Sequence, residues 1–154
     1  MKRINIYTVK QVRESAGLYD IETNILSTPE AAAAVINAVF NVDELDKEYF
    51  GVITLNTKNK INGMHVLSIG TLDSGIAHPR DVFKLAILNN AASVLLWHNH
   101  PSGDCDPSDH DIKLTQRLGE CGKILGIPVL DHVIVGAAGR FKSLREIGLD
   151  KCLG

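Results

Sequence analysis

Ser93-Val94-Leu95-Leu96-Trp97 is an unbroken apolar run that ends directly on His98-Asn99-His100-Pro101-Ser102-Gly103. Successive residues of a strand point to opposite faces of its sheet, so a run that is apolar at every position demands cover on both sides. Candidate helices flank it. Ser27-Thr28-Pro29-Glu30 reads as a helix start, a hydroxyl cap followed by a proline whose missing N–H costs nothing in the first turn, and an alanine-rich stretch continues to Phe40. Pro79 opens a second helix to about Asn89, with Val82 and Ala86 on one face. Ser108 starts a third, in which Leu114, Leu118, Cys121 and Leu125 recur at spacings of four, three and four and define one buried stripe. Gly122 and Gly126 mark its fraying end.

Tyr49–Leu55 and Met64–Ile69 are aromatic and β-branched runs separated by the turn-prone Asn56-Thr57-Lys58-Asn59, the pattern of a hairpin. Val129–Val135 reads as a further strand, and Phe141–Leu149 as a closing segment whose form the pattern leaves open. This element order predicts an α/β fold of three layers, a mixed sheet flanked by helices. Residues 1–27 lack a sustained period, and Ile4, Tyr7 and Val9 suit a short extended arm, so the expected division is an arm over 1–27 and one domain over 28–154.

A chain of 154 residues with 45% hydrophobic and 22% charged residues can bury a real core and lies far from the composition of disordered chains. The net charge of −2 gives no overall footprint for nucleic acid, although Lys113 and Arg117, and Arg140, Lys142 and Arg145, form local basic groups that read as solvated faces. Cys105, Cys121 and Cys152 are odd in number and widely spaced, which fits a reducing cytoplasm better than a disulfide scaffold. No apolar signal-peptide core follows Met1-Lys2-Arg3, and Ala31–Phe40 is far short of the ~20 residues a spanning helix needs, so no membrane partner is expected. Oligomeric state is left open.

His98 and His100 are two residues apart at the end of the buried strand, so both rings can reach one ion, while Pro101 and Gly103 turn the chain over the site. Asp111 emerges from the first turn of the helix that Ser108 caps. Three protein ligands with room for water is the arrangement of a catalytic zinc, whereas structural zinc is closed by four ligands usually rich in cysteine. Plainer readings exist for each part. Ser108-x-x-Asp111 is also close to a capping box, the histidines could be hydrogen-bonded residues of a strand end, and Cys105 could close the site as a fourth ligand, though a small loop residue is the simpler reading. His65 and His78 are read as loop or loop-side residues, His110 as a solvent-facing first-turn residue, and His132 as satisfying a polar group near a strand start.

His98-x-His100-Pro101, six residues, Ser108, two residues and Asp111 resembles the zinc signature of the JAB (JAMM, MPN-plus) metallopeptidases. The RadC-like branch is the nearer match, through His98-Asn99-His100-Pro101-Ser102-Gly103 and Pro107-Ser108-x-x-Asp111. Glu48-x-Phe50, Gly70-Thr71, His78-Pro79-Arg80, Leu130-Asp131-His132 and Ser143-Leu144 agree as well, and the similarity covers about Thr28 to Gly148. It implies a JAB/MPN fold of the cytidine-deaminase-like type, zinc held by His98, His100 and Asp111, a general base at Glu48, and Ser108 donating toward the oxyanion. Deaminase chemistry itself is set aside, because its His-x-Glu and Pro-Cys-x-x-Cys signature is absent.

The activity implied is zinc-dependent hydrolysis of a peptide or isopeptide bond, with the substrate unidentified. The alternative is a non-catalytic, DNA-repair-associated or DNA-binding accessory module with a structural zinc. RadC-like proteins carry a helical DNA-binding-type segment ahead of this domain that residues 1–27 are too short to supply, which weakens that alternative. Trp97 stands where the family usually has a small residue, an exchange expected to narrow the pocket wall.

Overall fold

The computed structural model describes residues 4–8, 10–70 and 77–153, so Val9 and Thr71 lie outside the described residues. Three helices of eight or more residues are present among them: α1 (Pro29–Phe40), α2 (Pro79–Leu88) and α3 (Asp109–Leu125). Thr28 caps α1, its Oγ1 accepting from the Ala31 N–H at 3.3 Å, and Gly126 ends α3 in the left-handed conformation at φ 70°.

Five strands form one sheet in the order β2-β1-β3-β4-β5, with β1 at Tyr49–Leu55, β2 at Ile61–Ile69, β3 at Ser93–Asn99, β4 at Val129–Val135 and β5 at Phe141–Ser143. β3 and β4 pair in parallel with α3 as their crossover, and the other neighbouring pairs are antiparallel, so the sheet is mixed. β3 is buried along its whole length, as its apolar run requires. On one face Ile53, Leu55, Leu95, Trp97, Val133 and Val135 pack with Ala32, Ala33, Val35 and Ile36 of α1. On the other, Phe50, Val52, Val94, Leu96 and Val129 pack with Val82, Phe83 and Ala86 of α2 and Leu118 of α3. Each fully buried side chain of this size contributes roughly 1.5–3 kcal/mol, which is why both faces are covered.

Several sequence expectations shift. β3 extends two residues further than the apolar run, so His98 lies inside the strand, and β2 begins at Ile61, three residues ahead of the expected run, so that His65 sits well within it and not beside its end. The buried face of α3 is Asp111, Thr115, Leu118, Gly119 and Gly122, whereas Leu125 is exposed. The hydrophobic spacing misleads because this face packs closely on backbone. A Cβ at Gly122 would lie 2.6 Å from the Ile127 carbonyl oxygen, so Gly122 is a contact point inside the helix and not its frayed end. Trp97 stacks on Phe40 of α1 with ring centroids 4.6 Å apart. It therefore faces away from His98 and walls no pocket beside it, as the alternation of strand neighbours requires.

The closing segment is β5 followed by a π-helical turn (Arg145–Leu149) and a 3₁₀ turn (Asp150–Cys152). Buried Asp131 ties it to β4, accepting from Ser143 Oγ at 2.6 Å and from the Arg145 N–H at 3.1 Å. Residues 4–8 and 10–20 are exposed and carry no regular structure, but Leu26 is buried in the α1-side core and its N–H donates to the Asn59 carbonyl. No helix among the described residues is long and apolar enough to cross a membrane.

Candidate metal centre

Phe50 pairs with His98 across the β1–β3 ladder, so continuing the antiparallel register by two residues brings Glu48 opposite His100. The backbone N–H of His100 donates to the Val135 carbonyl at 3.2 Å, which holds the residue against β4 just beyond the end of β3. Its ring is oriented by Nδ1–H donating to the Asp104 carbonyl at 2.7 Å, which turns Nε2 inward. Asp111 reaches in from the first turn of α3. Glu48, His98, His100 and Asp111 thus each offer a ligand atom, all within 4.8 Å of one another. His98 and Asp111 are buried, Glu48 and His100 are partly exposed, and the group opens toward solvent on that side.

The contacts within the group are close enough to share one cation. His98 Nε2 and His100 Nε2 are 2.9 Å apart, and Asp111 Oδ1 and Oδ2 lie 3.5 Å and 3.6 Å from them respectively. Two imidazole lone pairs and a carboxylate cannot converge so closely without a proton or a metal ion between them. Burial opposes the charge on Asp111, but the hydrogen bond from His100, the nearby His98 ring and the Ser108 N–H outweigh it and hold the carboxyl well below the ordinary carboxylate range. The same hydrogen bond raises the His100 pKa, against the effect of burial. Two imidazoles and carboxylates suit a borderline divalent cation, so the residues fit a metal ion of that kind.

Ser108 forms the capping box with Asp111: its N–H and its hydroxyl each donate to Asp111 Oδ2 at 2.8 Å, and the Asp111 N–H donates to Ser108 Oγ at 3.2 Å. The box and the metal-site geometry are therefore one arrangement, because the cap fixes the carboxylate that faces the histidines. Cys105 is not part of the group and is buried against Ile134 and Leu144.

Two supporting residues, Asn99 and Thr115, were not singled out from the sequence, and a third, His132, was read there without its partner. Asn99 donates from Nδ2 to the Lys47 carbonyl at 3.0 Å and accepts at Oδ1 from the Tyr49 N–H at 2.7 Å, gripping the chain on both sides of Glu48. His132 is fully buried, with Nε2 2.7 Å from His98 Nδ1 and Nδ1 2.6 Å from Thr115 Oγ1. Burial drives the His132 pKa well down, and a neighbouring His98 charge acts the same way. The polar group that His132 satisfies is thus the ring of His98. Thr115 could have been found from its place four residues after Asp111, on the same helix face.

Fold and site together define a three-layer α/β domain with a His, His, Asp and Glu group that could hold a metal ion. Residues 26–149 match the family described as the RadC-like JAB domain, and the chain belongs to that family. It is similar to a UPF0758 protein of Desulforamulus reducens, 48% identical over 125 residues that make up 81% of this chain and 54% of the relative. A UPF0758 protein of Moorella thermoacetica is 46% identical over 134 residues, 85% of this chain and 56% of the relative. One of Caldanaerobacter subterraneus is 57% identical over 104 residues, 68% of this chain and 44% of the relative. The chain spans about half the length of these relatives.

Proposed function

We propose that the chain is a zinc-dependent hydrolase of the metallopeptidase or isopeptidase type, with His98, His100 and Asp111 as ligands. The observation that carries this reading is the presence of Glu48 in the same 4.8 Å group, on its solvent-open side, where a base would meet an incoming water. A zinc ion held there supplies Lewis acidity, lowering the pKa of a water to about 7 and polarising a carbonyl. Glu48 takes the proton from the attacking water and delivers it to the leaving amine. Ser108 lies at the rim, and its hydroxyl serves the developing oxyanion by exchanging its bond to Asp111 for one to the substrate. His98 and Asp111, buried beneath, keep the ligand geometry fixed during the reaction.

Zinc content by elemental analysis, together with turnover of an amide and isopeptide substrate library, tests the proposal. His100→Ala should lose zinc. Glu48→Gln keeps side-chain shape and leaves all three ligands, so zinc and folding should stay near wild type while hydrolysis falls by roughly 10²–10⁴-fold. Loss of zinc in Glu48→Gln would make Glu48 a fourth ligand and the site a closed, structural one, as in a non-catalytic DNA-associated module.

A further inference from the structure

We propose that Thr115 and His132 are positioning residues that fix His98 in the tautomer whose Nε2 lone pair faces the metal group. This rests on the reading of His98 as a ligand, and its basis is the direction of three consecutive hydrogen bonds. Thr115 Oγ1 lies 2.6 Å from the Asp111 carbonyl oxygen. A carbonyl cannot donate, so the single hydroxyl hydrogen of Thr115 lies in that contact. The 2.6 Å contact between Thr115 Oγ1 and His132 Nδ1 must then be made by a hydrogen on the imidazole. His132 is fully buried, and a neutral ring carrying its hydrogen on Nδ1 has only an acceptor at Nε2.

That acceptor lies 2.7 Å from His98 Nδ1, so the hydrogen of His98 is on Nδ1. Its Nε2 is left bare, 2.9 Å from His100 Nε2 and 3.5 Å from Asp111 Oδ1. The chain of bonds begins on the backbone of Asp111, itself in the metal group, and returns to that group through α3, β4 and β3. A metal-binding histidine needs its distal ring N–H held in this way, and losing such a partner typically weakens metal affinity 10–100-fold. His100 achieves the same result with one bond to the Asp104 carbonyl, so the two rings present Nε2 by independent means.

The test is made on metal-free protein labelled with ¹⁵N-histidine, at mildly alkaline pH, using long-range proton–nitrogen correlation to read each tautomer. His98 and His132 should both carry hydrogen on Nδ1. In Thr115→Val the His132 hydrogen loses its acceptor, the His132 ring is free to move it to Nε2, and His98 should follow with hydrogen on Nε2. Zn²⁺ affinity, measured by competition with a chromophoric chelator, should then fall roughly 10–100-fold, and Thr115→Ser should restore both signals. Hydrogen on Nε2 of His98 in the wild type, or a folded Thr115→Val that binds Zn²⁺ as tightly as wild type, overturns the proposal. If Thr115→Val does not fold, the wild-type and Thr115→Ser tautomers decide it. A wild type that takes up no zinc would defeat the hydrolase reading, while the tautomers would still be read from the metal-free protein.

Discussion

Asn99 holds the chain on both sides of Glu48: one carboxamide bonds the carbonyl of Lys47 and the N–H of Tyr49, the residues on either side. Asn99 lies between the two histidines, so a single strand end sets two of the proposed ligands and the placement of the proposed base. Asn99→Ala leaves all four side chains of the metal group intact but strips partners from two backbone groups. The expected loss is on the order of 1–3 kcal/mol in urea unfolding. Zinc content should remain near wild type, and hydrolysis should fall toward that of Glu48→Gln. An Asn99→Ala protein with unchanged stability and turnover would remove Asn99 from the site.

The raised pKa of His100 sets the direction of pH dependence for metal uptake. The Asp111 hydrogen bond favours the protonated ring, with burial opposing it, so metal-free His100 keeps its proton to a higher pH than an ordinary histidine. A cation needs the Nε2 lone pair. Apparent affinity is therefore full above the raised pKa and is lost as pH falls through it, and the decline begins above the ordinary imidazole value of about 6.5. Asp111 is held low and stays charged throughout this window, so it adds no second step. Zn²⁺ titrations against a chelator of known pH behaviour check this; an affinity that stays constant as pH is lowered to 6.5 would contradict it.

The parts of the site that were legible in the sequence are those whose spacing has a geometric meaning. Residues i and i+2 share a strand face, which brought His98 and His100 together, and a cap followed three residues later by a carboxylate fixed Asp111 beside Ser108. Glu48 was legible only through the family resemblance, because its placement depends on the β1–β3 register, a pairing between segments almost fifty residues apart. The partner of His132 escaped for the same reason: it is one strand over, and Leu96, the ladder neighbour of His132, carries no polar signal. The face of α3 was misread because glycines that permit backbone contact do not register in a hydrophobic pattern.

Trp97 and Gly51 pair across the β1–β3 ladder, and the glycine is what lets the indole lie flat in the core. A Cβ on Gly51 would collide with the Trp97 ring and would lie 2.6 Å from the His65 carbonyl oxygen. Gly51→Ala should therefore destabilise the fold by about 1–3 kcal/mol, the usual effect of overpacking. Trp97→Leu removes one of the two obstacles, so the double variant should be less impaired than the sum of the singles, with a coupling of roughly 0.5–3 kcal/mol in a urea double-mutant cycle. The His65 carbonyl remains, and relief should be partial. Because Trp97 stacks on Phe40 on the α1 side of the sheet while His98 faces α3, Trp97→Leu should leave Zn²⁺ affinity near wild type once the protein is folded. An indole that walled the metal site would instead alter affinity directly, and such a change at unchanged folding would place Trp97 on the wrong face of β3.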